Sequence, residues 1–163
     1  MTTNQEQMIA GSEYLKRTQG ISSAPLEAYL NFGYVLLVIA GADGDVPESE
    51  MNWLINHQRM IGAPEEVIEK YKTFNYKNAN LEDLLPKVKG DVPGFSAPRT
   101  LLYHAIKMSR ADKDYSKEEQ EAVKKAAKLL GVEDDITMAL NTLVDMEENV
   151  ESMLKALIHT ETL

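Results

Sequence analysis

The sequence predicts an all-α, single-domain protein, a helical bundle of about seven to eight helices. Three observations support this fold class. Apolar residues recur at helical spacing along most of the 163-residue chain. Glycines and prolines stand where helices begin or end, and alternating strand patterns are almost absent. Finally, the second half of the chain repeats the pattern of the first, which predicts an internal duplication of a helix–acidic-loop–helix unit.

Composition limits the classes of partner. Hydrophobic residues make up 44% of the chain, enough for a core in one domain spanning 1–163. The formal net charge is −9. Nucleic acid and anionic lipid both attract basic surfaces, so neither is an expected partner. Cations and basic surfaces of other proteins are the expected ones.

The chain has no cysteine, which excludes disulfides, thiolate metal sites and cysteine nucleophiles. Residues 1–6 are polar and do not resemble a signal peptide. The most apolar stretch, 32–42, is too short to span a bilayer. We therefore expect a cytoplasmic protein with no direct membrane insertion, and the sequence leaves its oligomeric state open.

The predicted elements follow from helix start and stop signals. A first helix is expected from about Gln5 to Thr18, and Pro25 is expected to be the first residue of an apolar second helix. Further helices are predicted at 47–61, 64–74, 81–88, 98–111, 116–130 and 134–159. The last of these is expected to break near Asn149. Two glycines and two prolines mark 89–98 as a linker.

The duplication is an ungapped shift of 69 positions, since 112 − 43 = 69. It divides the chain into repeat one at about 25–88, the linker at 89–98 and repeat two at about 98–160. Apolar positions also correspond under this shift. The identical pairs are Tyr34 and Tyr103, Ala42 and Ala111, Asp43 and Asp112, Asp45 and Asp114, Glu50 and Glu119, and Gly62 and Gly131.

Each repeat places three carboxylates in its loop. Asp43 and Asp112 each stand at the C-terminal end of a predicted helix, where the helix dipole disfavours a negative charge by about 0.3–1 kcal/mol. Local conflicts of this kind tend to mark functional sites. The two sets are Asp43, Asp45 and Glu50, and Asp112, Asp114 and Glu119.

The two glutamates differ in what explains them. Ser116 and Glu119 form a predicted capping box, and that structural role accounts for Glu119. The residue that matches Ser116 is Pro47, which has neither a side-chain acceptor nor an N–H. A capping box therefore cannot explain Glu50, which makes Glu50 the better functional candidate.

Neither loop fits the calcium loop of an EF-hand, which needs glycine at position six and glutamate at position twelve. The loops leave open a looser oxygen-ligand site for calcium, magnesium or zinc, stronger in the first loop because Lys113 and Lys117 partly neutralise the second. The alternative is a pair of solvated acidic turns whose aspartates cap helices and bond their own backbone.

These loops resemble those of the TerB-like proteins of the tellurite-resistance group. The resemblance lies in an apolar helix ending in Ala-Asp-Gly, a glutamate seven places after the aspartate, and a helix closing in Ile-Gly. It spans about 29–144, and the chain departs from it at Lys113, where glycine is expected. The residues that carry it are Ala42, Asp43, Gly44, Val46, Glu50, Ile61 and Gly62, echoed by Ala111, Asp112, Tyr115, Glu119, Leu130 and Gly131.

The resemblance implies an all-helical fold with an internal repeat and acidic residues suspected of binding divalent cations. It also implies a role in tellurite and general stress resistance, with partners in stress-response or membrane-associated protein complexes and no established enzymatic activity.

No catalytic motif occurs in the sequence, so we expect a protein that is not an enzyme. The alternative is a small-molecule binder or carboxylate-based enzyme with an aromatic pocket between the repeats, for which Trp53, Tyr34 and Tyr103 are the candidate lining residues. Core filling is the simpler explanation for these rings and for their neighbours. Those neighbours are Tyr71, Phe74, Tyr76 and Phe95.

Overall fold

A computed structural model describes residues 7–88 and 96–159 of the chain. Eight α-helices run through these residues and confirm the predicted all-α fold. Most of the predicted linker, including Phe95, lies outside the described residues. The helices are Glu13–Gln19 (α1), Leu26–Ala40 (α2), Glu48–Ile61 (α3), Glu65–Thr73 (α4), Leu81–Leu84 (α5), Ala97–Ser109 (α6), Lys117–Leu130 (α7) and Asp134–Ile158 (α8). Short 3-10 turns lie at Gly41–Asp43, Tyr76–Asn78 and Leu85–Lys87.

Helix α2 lies at the centre of the bundle. Its sequence is apolar on nearly every side, and it packs against α3, α4, α5, α6 and α7. Val35, Leu36 and Leu37 have no solvent exposure. The stretch Leu26–Asp43 is also the one described segment that could cross a membrane by length and composition, but half of it is buried inside the bundle, as in the core helix of a folded domain.

The chain before α2 differs from the prediction. Met8–Ala10 (β1) and Ser23–Pro25 (β2) form a two-stranded antiparallel sheet, and Pro25 caps α2 instead of beginning it. The first helix begins at Glu13, because the Ser12 side chain accepts a hydrogen bond from the Leu15 N–H. A Cβ on the residue before Ser12, Gly11, would come within 2.9 Å of a backbone oxygen. The strand and the helix therefore meet at this small residue.

Two other predicted boundaries were wrong. Helix α8 runs without a break through Asn149, because 134–158 contains no proline or glycine and asparagine costs only a few tenths of a kcal/mol in a helix, roughly. Helix α5 ends at Leu84 and continues as a 3-10 turn, since Pro86 cannot donate a helical hydrogen bond.

The helix ends of the two predicted repeats are related by the same shift of 69 positions. Helix α2 ends at Ala40 and α6 at Ser109, and α3 and α7 correspond at both ends. Gly62 and Gly131 both end their helices in the left-handed conformation. These matches are what a duplication requires, and the duplication itself stays a prediction.

Lys113 adopts the backbone conformation expected of a glycine. Its φ is +67°, and it is the one non-glycine residue with positive φ in the described ranges 7–88 and 96–159. The matching residue in the first loop is Gly44, at φ +118°. A side chain in this region costs about 1–2 kcal/mol. Lysine at position 113 therefore forms the same kind of turn as glycine would, but with a strained backbone.

We expect Lys113→Gly to raise the free energy of unfolding by about 0.5–1 kcal/mol, because relief of strain outweighs the entropy gained by the unfolded chain. Urea unfolding measures the change. Lys113→Ala is the matched control, since it removes the same charge and keeps the Cβ. Equal stabilisation by both variants would assign the effect to the charge and contradict the backbone explanation.

Candidate functional site

The two acidic loops meet in the folded protein. The turn Gly41–Asp43 of the first loop packs against α7, whose first turn carries Glu119. Glu50 lies in the first turn of α3 and is close enough to Glu119 for the charge of Glu119 to raise the pKa of Glu50. The fold therefore joins what the sequence predicts as two separate sites into one acidic centre.

Glu50 is buried without compensation. The residue is 1% exposed, and its Oε2 has no hydrogen-bond partner. Burial raises the pKa of its carboxyl group to about 9, and the negative charges of Glu119, Asp112, Asp43 and Asp114 add to the rise. Without a cation, Glu50 is therefore protonated at neutral pH.

The local sequence leaves Glu50 free of a capping role. Pro47 is the N-cap of α3 and makes no side-chain cap hydrogen bond. The α3 helix begins one residue later at Glu48, so that the third helical position faces the interior. Glu50 fills that position with a carboxyl group that the helix terminus does not use.

Glu119 forms the predicted capping box, but the box does not fully account for it. The Glu119 N–H donates to Ser116 Oγ at 3.1 Å, and the Ser116 N–H donates to Glu119 Oε1 at 3.4 Å. The second oxygen, Oε2, has no partner, and the residue is 1% exposed. Burial raises the pKa of Glu119, and the Ser109 and Ser116 hydroxyls offset part of this rise. Ser109 Oγ lies near the carboxyl group but makes no hydrogen bond of normal geometry. The capping box therefore accounts for one of the two carboxylate oxygens of Glu119.

The aspartates surround this pair at the surface. Asp43 and Asp114 are exposed and Asp112 is half-buried. Asp112 Oδ1 accepts a hydrogen bond from the Asp114 N–H at 2.9 Å, the local turn that the solvated-loop alternative predicts. Asp45 is the exception, because it forms an ion pair with Lys77 at 3.1 Å and is not among the charges that act on Glu50.

Five of the six predicted carboxylates thus belong to one electrostatic centre. Within 7–88 and 96–159, no three acidic or histidine side chains lie close enough together to hold a metal ion as they stand. A cation held by Glu50 and Glu119 would need Asp43, Asp112 or Asp114 to rotate inward. Exposed side chains change rotamer on the picosecond to nanosecond timescale, so this rotation is available to them.

Comparison with known proteins gives one informative match. No family model and no curated protein matches the chain. The crystal structure of a tellurite resistance protein from Nostoc punctiforme superposes with a TM-score of 0.73 at 26% sequence identity. The match covers 88% of this chain and 89% of that one. This likeness supports the resemblance of the chain to the TerB-like proteins.

The predicted aromatic pocket residues lie in two places in the bundle. Tyr34 stacks on Phe74 with ring centroids 3.9 Å apart. Trp53 stacks on His57 at 5.0 Å, on the side of the bundle formed by α3 and α6. In the described part of the chain no ring contact joins the two groups.

Tyr103, the third pocket candidate, links two helices. Its hydroxyl donates to Glu147 at 2.6 Å, and Lys107 Nζ donates to the same carboxylate at 2.8 Å. This network holds α8 against α6. Tyr103 and Trp53 both contact the His104 ring, with centroids 5.0 and 6.2 Å away, whereas Tyr34 lies in the other aromatic group.

A buried histidine pair in the core was not anticipated from the sequence. The rings of His57 and His104 are 4.2 Å apart, and both residues are less than a tenth exposed. Burial lowers the pKa of His57 to about 4 and that of His104 well below its usual value. His57 and His104 occupy unrelated positions in the two repeats, so the repeat pattern gave no signal for this contact.

Proposed function

We propose that this protein is a non-enzymatic, tellurite-resistance-like stress-response module that binds a divalent cation where its two acidic loops meet. The observation that supports the proposal is the pair of buried glutamates, each with one carboxylate oxygen that lacks a hydrogen-bond partner. The role in resistance follows the description of the Nostoc punctiforme protein.

The cation resolves an energetic conflict in the cation-free protein. Two carboxyl groups buried beside each other cannot both ionise at low cost, and a buried oxygen without a partner costs about 1–3 kcal/mol. A divalent cation pairs with both charges and coordinates both free oxygens. Because the donors are all oxygens, calcium or magnesium suits the centre better than zinc.

Each residue has a separate place in the proposed site. Glu50 and Glu119 supply ligands from the protein interior, and Asp43, Asp112 and Asp114 supply charge and further oxygens from the surface. The centre would repel tellurite itself, which is an oxyanion. Any contribution to resistance would therefore be indirect, through a cytoplasmic protein partner with a basic surface that recognises the cation-loaded loops.

Titration of chelator-treated protein with calcium, magnesium or zinc tests the site. We expect millimolar calcium or magnesium to raise the Tm by several degrees, because a ligand that binds only the folded state stabilises it. Isothermal calorimetry gives the affinity. We expect Asp43→Asn to weaken binding by about tenfold, since it removes one neighbouring charge, on the order of 1.4 kcal/mol.

Asp45→Asn is the matched control, because Asp45 lies in the same loop but is paired with Lys77. It is expected to leave the affinity unchanged. Equal loss in both aspartate variants would point to a general effect of net charge. No metal-dependent shift in Tm at millimolar ion would contradict the proposed cation site.

A carboxylate-based enzyme is the second candidate, favoured by the raised pKa of Glu50, which suits a general acid. Such an enzyme also needs a substrate cavity at the carboxyl group. The surface cleft formed by Glu13, Tyr14, Lys16 and Arg17 lies on α1 and contains none of the acidic-centre residues. Binding of a small molecule that competes with the cation and depends on Glu50 would favour this candidate.

A further inference from the structure

The final helix carries an exposed apolar stripe with the spacing of a coiled coil. Its members follow one another at intervals of three, four, three and four residues, which is the a/d pattern of a heptad repeat. Their exposed fractions lie between 43% and 73%. The stripe consists of Leu143, Met146, Val150, Met153 and Leu157.

The stripe lies on the side of α8 away from the bundle. Thr137 and Val144 are the buried residues of α8, and the helix packs on α6 and α7. From Glu148 to Ile158 every residue is exposed. The large apolar side chains of this segment are each more than half exposed, so the bundle does not cover this part of the stripe.

The charges beside the stripe are already paired within the chain. Lys107 binds Glu147 at 2.8 Å, and Arg110 Nη1 forms ion pairs with Asp145 and Glu148. Glu151 pairs with Lys155 at 3.5 Å. A basic peptide would have to compete with these internal pairs, so the charge pattern does not favour a basic occupant.

The stripe would form the seam of a coiled coil, and the positions that flank this seam are mostly uncharged. In the heptad register these e and g positions are Thr142, Glu147, Asn149, Leu154 and Ala156, of which only Glu147 carries a charge. When two copies of α8 pair, no like charges face each other across the seam in either direction. The apolar stripe is also complementary to itself, because Leu, Val and Met pack against one another without polar atoms.

We propose that the occupant is a second copy of this chain, and that the protein dimerises through paired α8 helices. The seam is about 21 Å long, at 1.5 Å rise per residue. Such a short seam predicts a moderate affinity, helped because the bundle already anchors the first half of each helix. This dimer surface is separate from the acidic centre and does not depend on cation binding.

Sedimentation equilibrium of the full chain tests the proposal. The weight-average mass is expected to rise from 18.3 kDa toward twice that value over a protein concentration range of roughly 1 µM to 1 mM. Val150→Glu places a charge at the centre of the seam and is expected to give a monomer at every concentration. Ser152→Glu, on the opposite side of the same helix, is the matched control and is expected to keep the dimer.

Cysteine cross-linking tests the same seam without adding a charge. The chain has no cysteine, so each introduced thiol is unique. A parallel pair is expected to oxidise to a covalent dimer in Val150→Cys. An antiparallel pair brings position 150 opposite position 153 and is expected to cross-link only when Val150→Cys is mixed with Met153→Cys. A wild-type protein that stays monomeric at millimolar concentration, without either cross-link, would overturn the proposal.

Discussion

Glu50→Gln is expected to make the cation-free protein more stable at pH 7–9 and to remove most of the fall in stability over that range. The folded pKa of Glu50 is about 9, above the ordinary value of 4.5 for a glutamate carboxyl group. Above pH 4.5 the unfolded chain loses this proton while the folded chain keeps it. The contribution of Glu50 to the free energy of unfolding is therefore fully present below pH 4.5. It decreases from pH 4.5 toward pH 9, with a slope of at most about 1.4 kcal/mol per pH unit.

The acid side of the profile is expected to remain in this variant. His57 has a folded pKa of about 4, below the ordinary value of 6.5 for a histidine side chain. As the pH falls from 6.5 to 4 the unfolded chain gains a proton that the folded chain does not take, so stability decreases. The buried His104 acts in the same direction. Urea unfolding at pH 4–9 should therefore show the optimum of Glu50→Gln shifted toward neutral pH.

Cation binding should favour the ionised form of Glu50, whereas the cation-free protein favours the protonated form. A bound cation requires ionised Glu50, so binding at pH 7 is expected to release a proton and to strengthen as the pH rises. Calorimetry in buffers of different ionisation enthalpy measures that proton. Glu48→Gln is the control, because Glu48 lies in the same helix turn but is exposed. A wild-type pH profile indistinguishable from that of Glu50→Gln would contradict this assignment.

Gly33→Ala is expected to destabilise the protein by about 3 kcal/mol or more, because it overpacks a core that cannot relax. A Cβ on Gly33 would overlap the ring of Tyr71, with the hydroxyl oxygen only 2.7 Å away. Tyr71 is fully buried, and its hydroxyl donates to the Tyr29 carbonyl and accepts from Gln58 Nε2 at 2.8 Å. The two hydrogen bonds hold the ring against the helix, so it has no free direction in which to move.

Thermal unfolding measures this effect, expected as a fall in Tm of roughly 10 °C for a chain of this length. Tyr71→Leu removes the ring and by itself leaves a cavity. The double variant Gly33→Ala with Tyr71→Leu should lose less stability than the sum of the two single changes, since the new methyl group occupies part of that cavity. Strict additivity would show that the Gly33–Tyr71 contact does not cause the loss.

The sequence carried enough information to predict the helices because their signals are local. Apolar spacing, Pro47, Ser116 and the glycines at 62 and 131 act within a few residues of themselves. The sheet before α2 was missed because it depends on a contact between two separate segments. The Met8–Ala10 strand exists because it pairs with Ser23–Pro25, and neither segment alone has a strand pattern.

The candidate site likewise combines features that the sequence predicts with features that only the tertiary structure decides. The sequence alone identified the acidic residues and the absence of a cap for Glu50, because composition and helix-end chemistry can be read along the chain. Only the tertiary structure decided that Glu50 and Glu119 are buried together and that Asp45 is drawn away by Lys77. Burial and the distance between residues far apart in sequence depend on how helices pack, and packing is a property of the whole fold.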